Sequence, residues 1–282
     1  MVNCRICGAA VPDSEAVCLT CGAPAGAPNV RGADRPEELQ ALEKRYLEAY
    51  ETARAGNYLP VFEEFEKTLK QSHAVINVDV EFLHFFTRNA RNLYATYERA
   101  VEGQIRKPAL LEFDQKRRAV GGTLFGSYAR EISYAALSLD GLGPQSYGPY
   151  AIKLRDIAIR SRATVLENNS YDFVHKHDLK LGKRPPLGYV ASWDNRHKLA
   201  IAKLAGFLTP ATREADFPKL LLSSAGNRAT DEFIEVLIYG TFDLNAIESV
   251  KGSSAVGSRD DRDLLRMVKH QLGSAGKTWI EK

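Results

Sequence analysis

The stretch Phe233-Ile-Glu-Val-Leu-Ile-Tyr239 predicts the clearest β-strand in this chain of 282 residues. Its residues are β-branched, aromatic or otherwise apolar with one exception, Glu235, and such residues favour the interior of a sheet. Gly240 follows directly and marks the end of the strand. Because successive side chains of a strand point to opposite faces, Glu235 should share one face with Leu237 and Tyr239. The sequence therefore predicts a sheet in which one apolar strand carries an acid.

Segments with strand-like or helix-like patterns lie on both sides of this strand. Residues 150–155 alternate as a strand does, and residues 162–166 and 187–192 form two further short strand candidates. Helical spacing of apolar residues predicts helices at 128–137, 197–207, 244–250 and 260–272. A mixed β-sheet domain that ends in a helix is therefore predicted over residues 119–282.

Residues 35–118 differ, because helical patterns dominate them. Asp34-Arg-Pro-Glu-Glu combines a capping residue, an early proline and acidic residues near the positive end of a helix dipole, which predicts a helix start. Further helices are predicted over residues 61–69 and 79–104, the latter with a stripe of aromatic residues that we interpret as core packing. The predicted fold class is therefore α+β, with a helical segment at 35–118 that packs on the sheet domain as one unit.

All four cysteines lie in two Cys-x-x-Cys-Gly motifs, as Cys4, Cys7, Cys18 and Cys21. Two such motifs at this separation are typical of a zinc ribbon, in which four thiolates surround a structural ion. A disulfide pair is the alternative, and the lack of a secretory leader and of other cysteines favours zinc. We predict a ribbon over residues 1–24 and a flexible Gly-, Ala- and Pro-rich linker over residues 25–34.

The composition is that of an ordinary globular protein, with 44% hydrophobic residues, 26% charged residues and a formal net charge of +3. No apolar run approaches the roughly 20 residues that cross a bilayer, so no membrane association is expected. Since the chain starts without a charged and apolar leader, we expect a cytoplasmic location. The small positive charge neither indicates nor excludes a local basic patch.

Glu235 is the first candidate functional residue. A carboxylate on an apolar strand costs free energy unless it is paired with a cation or used in chemistry. The alternative is a solvent-facing position on an edge strand, or a structural salt bridge. Asp231 and Glu232, which precede the strand, have the pattern of solvated acids.

A second group of polar residues lies between residues 147 and 170. Arginines in this stretch could hold phosphate or pyrophosphate through paired hydrogen bonds, and amides or hydroxyls at a strand end could bind a ribose or an amide. A surface turn with capping side chains is the alternative. The candidates are Tyr147, Arg160, Arg162, Asn168, Asn169 and Ser170.

Together these segments resemble the ADP-ribosyltransferase superfamily, in particular its bacterial toxin-like members, over residues 120–250. The run from Tyr147-Gly through an alternating strand to Arg162-Ala-Thr and Glu167-Asn-Asn-Ser is similar to the strand, basic residue and serine-containing turn of that superfamily. The stretch Phe233-Ile-Glu-Val-Leu-Ile is similar to the late strand that bears its catalytic glutamate.

The resemblance implies a split β-sandwich whose cleft binds NAD as a co-substrate, and transfer of ADP-ribose to a macromolecular target. It assigns to Glu235 a hydrogen bond to the nicotinamide ribose and stabilisation of the oxocarbenium-like charge. It assigns to Arg160 or Arg162 a contact with the pyrophosphate, and to Ser170 the ordering of the glutamate or the ribose. Tyr147, Asn168 and Asn169 would complete the cofactor site.

The chain departs from the superfamily pattern at two points. Arginine-modifying members carry a second Gln or Glu two residues before the catalytic glutamate, and Phe233 occupies that position here, which disfavours an arginine target. The early His or Arg of the NAD site has no clear counterpart. His84 falls in a predicted helix, and Arg117 and Arg118 precede no clear strand.

Two weaker patterns complete the sequence. His175 and His177 would share a face in a strand and suggest a metal, but a polar loop is favoured because no further ligand cluster accompanies them. Residues 176–184 are basic and either meet a phosphate backbone or are simply solvated. If Glu235 is structural, the ribbon and this loop predict a non-catalytic adaptor that binds nucleic acid or protein.

Overall fold

The computed structural model describes residues 1–104, 111–228, 230–255 and 258–282. The strands are β1 Val2–Asn3, β2 Ala10–Val11, β3 His73–Val78, β4 Ile132–Ser138, β5 Tyr150–Leu154, β6 Ala163–Leu166, β7 Val190–Ser192, β8 Leu222–Ser223, β9 Glu232–Phe233, β10 Glu235–Tyr239, β11 Ile247–Gly252 and β12 Thr278–Glu281. The α-helices are α1 Pro28–Ala33, α2 Pro36–Ala55, α3 Leu59–Leu69, α4 Val80–Thr87, α5 Tyr97–Glu102, α6 Leu111–Phe125, α7 Asp156–Ile159, α8 Ser170–Lys176, α9 Arg196–Leu204, α10 Phe217–Leu221 and α11 Arg259–Ser274.

Eight strands form one open sheet in the order β12-β11-β5-β3-β4-β10-β6-β7. Every neighbouring pair is antiparallel except β11 with β12. The α+β class is confirmed. The split β-sandwich that the resemblance implied is not formed by the described residues, because these strands pair into a single sheet.

The two faces of this sheet are covered differently. Val236 and Ile238 of β10 belong to a large apolar core that includes residues of α2, α3, α9 and α11. Leu237 belongs to a smaller cluster on the opposite face, with Phe125 of α6 and Phe173 of α8. Since side chains alternate along a strand, Glu235 shares the face of Leu237. The acid therefore lies on the sheet face that α6 and α8 cover.

Helix α3 shows why the helical segment packs on the sheet. Phe62, Phe65 and Leu69 recur at helical spacing and are fully buried. Burying each of these side chains stabilises the fold by about 2–3 kcal/mol. They lie in the same core as the inward-facing residues of β10, so helices and sheet share one apolar interior.

The segment 35–118 is not uniformly helical. It contributes β3, which pairs with β4 on one side and β5 on the other and thus lies near the middle of the sheet. The single helix predicted over residues 79–104 is wrong, because α4 ends at Thr87 and α5 begins after Thr96. Between them the Asn89 side chain accepts a hydrogen bond from the Arg91 N–H, which competes with helical bonding.

Two further helix predictions are wrong for a common reason. Residues 128–137 form a 3₁₀ turn and then β4, and residues 244–250 form a 3₁₀ turn and then β11. Both β4 and β11 lie between two partner strands of the sheet, and this pairing outweighs a helix-like local pattern. The predictions at residues 150–155, 162–166, 187–192, 197–207 and 260–272 are confirmed as β5, β6, β7, α9 and α11 within a few residues.

The predicted flexible linker contains α1, and its residue Asn29 is only 6% exposed. The Asn29 amide donates to the carbonyls of Arg162 and Leu237 at 3.1 and 3.0 Å and to the Thr164 hydroxyl at 3.3 Å. The Arg31 guanidinium donates to carbonyls of the ribbon at Pro12, Asp13 and Glu15. The stretch is therefore ordered, because its polar side chains bond the ribbon on one side and the sheet on the other.

None of the helices in the described ranges is both long enough and apolar enough to cross a membrane.

Candidate functional site

The four cysteine sulfurs converge in the ribbon. The Sγ atoms of Cys4 and Cys21 are 3.6 Å apart, as are those of Cys7 and Cys18, and all four lie within 4.8 Å of one another. These distances exceed the roughly 2.05 Å of a disulfide, so that alternative is wrong. They fit a tetrahedral shell, in which Zn–S bonds of about 2.3 Å place the sulfurs roughly 3.8 Å apart.

The two knuckles repeat the same backbone geometry. Gly8 and Gly22, which follow the second cysteine of each motif, both have φ of +72°, a conformation that favours glycine. Their N–H groups donate to the carbonyls of Cys4 and Cys18 at 2.9 and 2.8 Å. Each turn thus aims two sulfurs inward, and the cluster could hold a metal as a zinc ribbon does.

Glu235 is the first residue of β10, opposite Ala136 of β4 and Leu166 of β6. The strand is therefore interior, and the edge-strand alternative is wrong. The carboxylate is 7% exposed, and no cation of the described residues lies within ion-pair distance of it. Its Oε2 accepts a hydrogen bond from the backbone N–H of Ser170 at 2.9 Å.

This burial changes the acidity of the group. Burial raises the pKa of Glu235 to about 7, while hydrogen bonds from Ser170 and the charge of Arg117 act in the opposite direction. The carboxyl group therefore changes its protonation state near neutral pH. Buried titratable groups of this kind are enriched at functional sites.

Two arginine–tyrosine pairs flank Glu235. The Arg117 Cζ of α6 lies 4.3 Å from the ring of Tyr97 and 5.8 Å from that of Tyr134 on β4. The Arg228 Cζ lies 4.6 Å from the ring of Tyr147, and its Nε donates to the Ser146 carbonyl at 3.2 Å. Burial, and then the charge of Glu235, raises the pKa of both tyrosines. Both hydroxyls are thus close enough to sense the carboxylate.

The turn that presents Ser170 is anchored at both ends. Asn169 caps α8, because its side chain accepts from the Asp172 N–H at 3.0 Å. Before it, buried Glu167 forms an ion pair with Arg45 of α2, and its carbonyl accepts from the Lys203 ammonium at 2.9 Å. Asn168 has a buried Oδ1 with no partner among the described residues, so this oxygen is free to accept a donor.

The structure brings together only part of the predicted cofactor set. Tyr147, Ser170 and Glu235 lie together, and Asn168 and Asn169 belong to the same turn as Ser170. The predicted arginines, Arg160 and Arg162, lie elsewhere.

Arg162 lies near the far end of β10, roughly 13 Å along the strand from Glu235 at 3.3 Å per residue. Its guanidinium donates to the carbonyls of Ala158, Tyr239 and Thr241 at 2.9, 3.0 and 2.7 Å. Arg160 is exposed and pairs with Asp194 at 2.7 Å. Both guanidinium groups are therefore engaged away from the carboxylate.

The two histidines do not form a metal cluster. His175 lies in α8, where its Nδ1 is 2.8 Å from the Tyr171 carbonyl, and His177 ends that helix with its ring against Phe173. The cysteine cluster is the one group of three or more close metal-ligand side chains found in the described ranges.

Sequence reasoning missed Tyr134 and Arg228 and left Arg117 unplaced. Tyr134 shares one face of β4 with Ile132 and Ala136, and this spacing indicates a strand only if residues 132–138 are not assigned to a helix. Arg228 follows the end of β8 in a polar loop, where no local pattern predicts proximity to Glu235.

No family model matches this chain, and a search of curated proteins finds no match either.

Proposed function

We propose that this chain is an NAD-consuming ADP-ribosyltransferase that acts on a macromolecular target, with a zinc ribbon as its target-recognition module. The observation that carries this proposal is the buried Glu235 carboxylate, hydrogen-bonded by Ser170 and flanked by two arginine–tyrosine pairs. A buried acid on an interior strand with no ion-pair partner is destabilising, which favours a role in chemistry.

In the proposed mechanism, ionised Glu235 accepts a hydrogen bond from a hydroxyl of the nicotinamide ribose. As the bond from ribose to nicotinamide breaks, the carboxylate stabilises the positive charge that develops on the sugar. Nicotinamide leaves, and a nucleophile of the target attacks the same ribose carbon. Ser170 holds the carboxylate in place through its backbone N–H. Since the pKa of Glu235 is raised to about 7, activity should rise between pH 6 and pH 8.

The cationic part of the proposed NAD site differs from the sequence prediction. Arg117 and Arg228 are on the Glu235 side of the sheet and are proposed to hold the pyrophosphate, in place of Arg160 and Arg162. A guanidinium binds phosphate oxygens through paired hydrogen bonds.

The ribbon is proposed to bind one zinc ion through Cys4, Cys7, Cys18 and Cys21. Four thiolates would fill the coordination shell, so the ion would fold the ribbon and leave no position for a substrate. We expect about one zinc per chain by elemental analysis, and less than half of that for Cys7→Ala. Full zinc content in Cys7→Ala would contradict this assignment.

An adaptor without catalysis is the second candidate. Ile6 and Leu19, at the tips of the two knuckles, are exposed, and exposed apolar side chains favour contact with a partner. In that case Glu235 would be a structural acid only.

The test is nicotinamide release from NAD by the zinc-loaded chain. We expect release by the native chain and a loss of 100- to 1,000-fold in Glu235→Gln, the size typical of a lost charge stabiliser. Glu248→Gln is the matched control, because Glu248 is an exposed acid on β11 and pairs with Lys153. Equal release by the native chain and Glu235→Gln would contradict the role of Glu235, and no release under any condition would favour the adaptor.

A further inference from the structure

An exposed aromatic side chain lies directly beside the proposed catalytic site. Tyr171 follows Ser170 in α8, and it is 40% exposed although its neighbour is buried. The Tyr171 ring contacts the His175 ring at 4.1 Å, and the Lys116 ammonium of α6 lies 5.9 Å from it. The outer surface of α6 and α8 thus carries an aromatic platform with cations around it.

Cations outnumber acids on this surface. Asp172 and Asp178 are its exposed described acids, and the buried Glu167 pairs with Lys176. Two of its cations, Lys183 and Arg184, have no carboxylate of the described residues within ion-pair distance. The five cations on α8, on the loop after it and on the side of α6 near Tyr171 are Lys116, Lys176, Lys180, Lys183 and Arg184.

The excess charge belongs to α6, α8 and the following loop rather than to the ribbon. Residues 1–24 carry Arg5 against Asp13 and Glu15, so they offer no positive excess. The surface nevertheless extends toward the ribbon. The N-terminal ammonium, followed by Arg35 and Arg184, lowers the pKa of Asp13, so the charge of Arg184 acts on the ribbon.

We infer that this surface binds single-stranded nucleic acid and that this strand is the acceptor of the proposed transfer. An aromatic ring on which a base stacks, bordered by cations that follow the phosphates, is the usual arrangement for single-strand binding. A base stacked on Tyr171 would lie one residue along α8 from Ser170, whose backbone N–H bonds the Glu235 carboxylate. A duplex would keep its bases paired and out of reach.

The acceptor role rests on the proposed function, whereas the binding does not. In the transfer a nitrogen of the base forms a bond to the ribose carbon of NAD while the bond from that carbon to nicotinamide breaks. Nicotinamide leaves as a neutral molecule, and the proton of the base nitrogen goes to water. The step needs no further reactant.

The experiment measures anisotropy of labelled 20-nucleotide DNA and RNA single strands with the full-length chain. Two variants remove parts of the surface, Tyr171→Ala and the triple variant Lys180→Ala, Lys183→Ala, Arg184→Ala. The control is Lys44→Ala, Lys67→Ala, Arg266→Ala, which removes equal charge from exposed positions elsewhere.

We expect Tyr171→Ala to weaken binding by about 5- to 30-fold, as loss of one stacked base does. The triple variant should weaken it by more than about 10-fold and the control by less than about 2-fold. For about four phosphate contacts, affinity should fall roughly 50-fold between 50 and 200 mM NaCl. Absence of binding at 50 mM NaCl, or equal affinities of surface and control variants, would overturn the inference.

A second measurement separates this inference from the proposed function. NAD labelled in its ADP-ribose part is incubated with the native chain and the oligonucleotides. Label on macromolecules and free nicotinamide are then measured in the same samples. Label on the oligonucleotide supports both the transferase activity and the nucleic-acid acceptor. Nicotinamide release with label only on protein overturns the nucleic-acid acceptor. No nicotinamide release, together with strand binding that the surface variants weaken, overturns the transferase and the acceptor role and leaves the binding surface standing.

Discussion

The polar side chains at the two ends of strand β10 differ in how completely they are hydrogen-bonded. At the Tyr239 end, the Arg162 guanidinium donates to three backbone carbonyls, so its hydrogen bonds are used by the fold. At the other end, the Glu235 carboxylate accepts one backbone N–H from Ser170 and is buried without a cation partner. The resemblance assigns a catalytic role to Glu235 and a pyrophosphate contact to Arg162, yet the bonds of Arg162 stabilise the fold and the burial of Glu235 opposes it. An incompletely paired buried charge is thus the better indicator of chemistry.

The largest change in stability is expected for Arg162, at the Tyr239 end of β10. Arg162→Leu would leave the three carbonyls without their donor, and we expect the free energy of unfolding to fall by about 4 kcal/mol. Arg160→Leu removes an exposed arginine that pairs with Asp194 and should lower it by less than about 1 kcal/mol. Urea denaturation of both variants measures the difference. Similar losses in the two variants would contradict the structural role of Arg162.

At the Glu235 end of β10, a substitution should raise the free energy of unfolding rather than lower it. The pKa of Glu235 is about 7 in the folded chain against an ordinary value of 4.5, so the folded state holds the proton more tightly. Its contribution to stability is therefore largest below pH 4.5 and is lost as the pH rises through 7. Glu235→Gln removes this loss and should stabilise the chain by up to about 3 kcal/mol at pH 8.

The pH dependence supplies the control for this variant. The stabilisation by Glu235→Gln should shrink toward zero at pH 5. At that pH the Glu235 carboxyl of the native chain is largely protonated in the folded state, so its burial costs little free energy. Thermal unfolding of Glu235→Gln and the native chain across this pH range measures it. A variant that is less stable than the native chain at pH 8 would show that the ionised carboxylate stabilises the fold.

A smaller loss is expected where α1 contacts the middle of the same strand. Asn29→Ala removes the donor to the carbonyls of Leu237 and Arg162 and to the Thr164 hydroxyl, and should lower the free energy of unfolding by about 2 kcal/mol. Protease cleavage between the ribbon and α2 should also become faster, since α1 loses its anchor. Unchanged stability and cleavage would mean that residues 25–34 behave as the flexible linker after all.

The smallest effect concerns the turn that holds Glu235. Asn169→Ala removes the cap of α8 and should lower the free energy of unfolding by about 1 kcal/mol, whereas Asn169→Ser keeps a neutral acceptor for the Asp172 N–H and should restore most of it. If Ser170 orders the carboxylate as proposed, nicotinamide release should fall in Asn169→Ala by more than the fraction of unfolded chain explains.

The sequence is sufficient to locate the features that depend on local pattern. The cysteine spacing predicts the knuckles, and the apolar run around Glu235 predicts β10, because alternation and turn chemistry are set by neighbouring residues. The strands β3, β4 and β11 escaped prediction, since each is fixed by partners on both sides that lie far away in the sequence. The order of α1 likewise depends on Asn29 meeting two strands more than 130 residues away.

The site itself is harder to predict for the same reason. Glu235 and Ser170 are separated by 65 residues and meet only because β10 pairs with β6, which leads into α8. Tyr134 enters the site through β4, and Arg228 through a loop. No pattern in the sequence distinguishes Arg162, whose donors are consumed by backbone carbonyls, from an arginine that is free to bind a phosphate.

The most direct test of the central claim is a ¹³C NMR titration of the glutamate side-chain carboxyl groups, with and without NAD, and with Glu235→Gln to assign the signal. We predict that one resonance, absent in the variant, titrates with a midpoint near pH 7 and moves when NAD is added. A Glu235 resonance with an ordinary midpoint near pH 4.5 that does not respond to NAD would contradict the account.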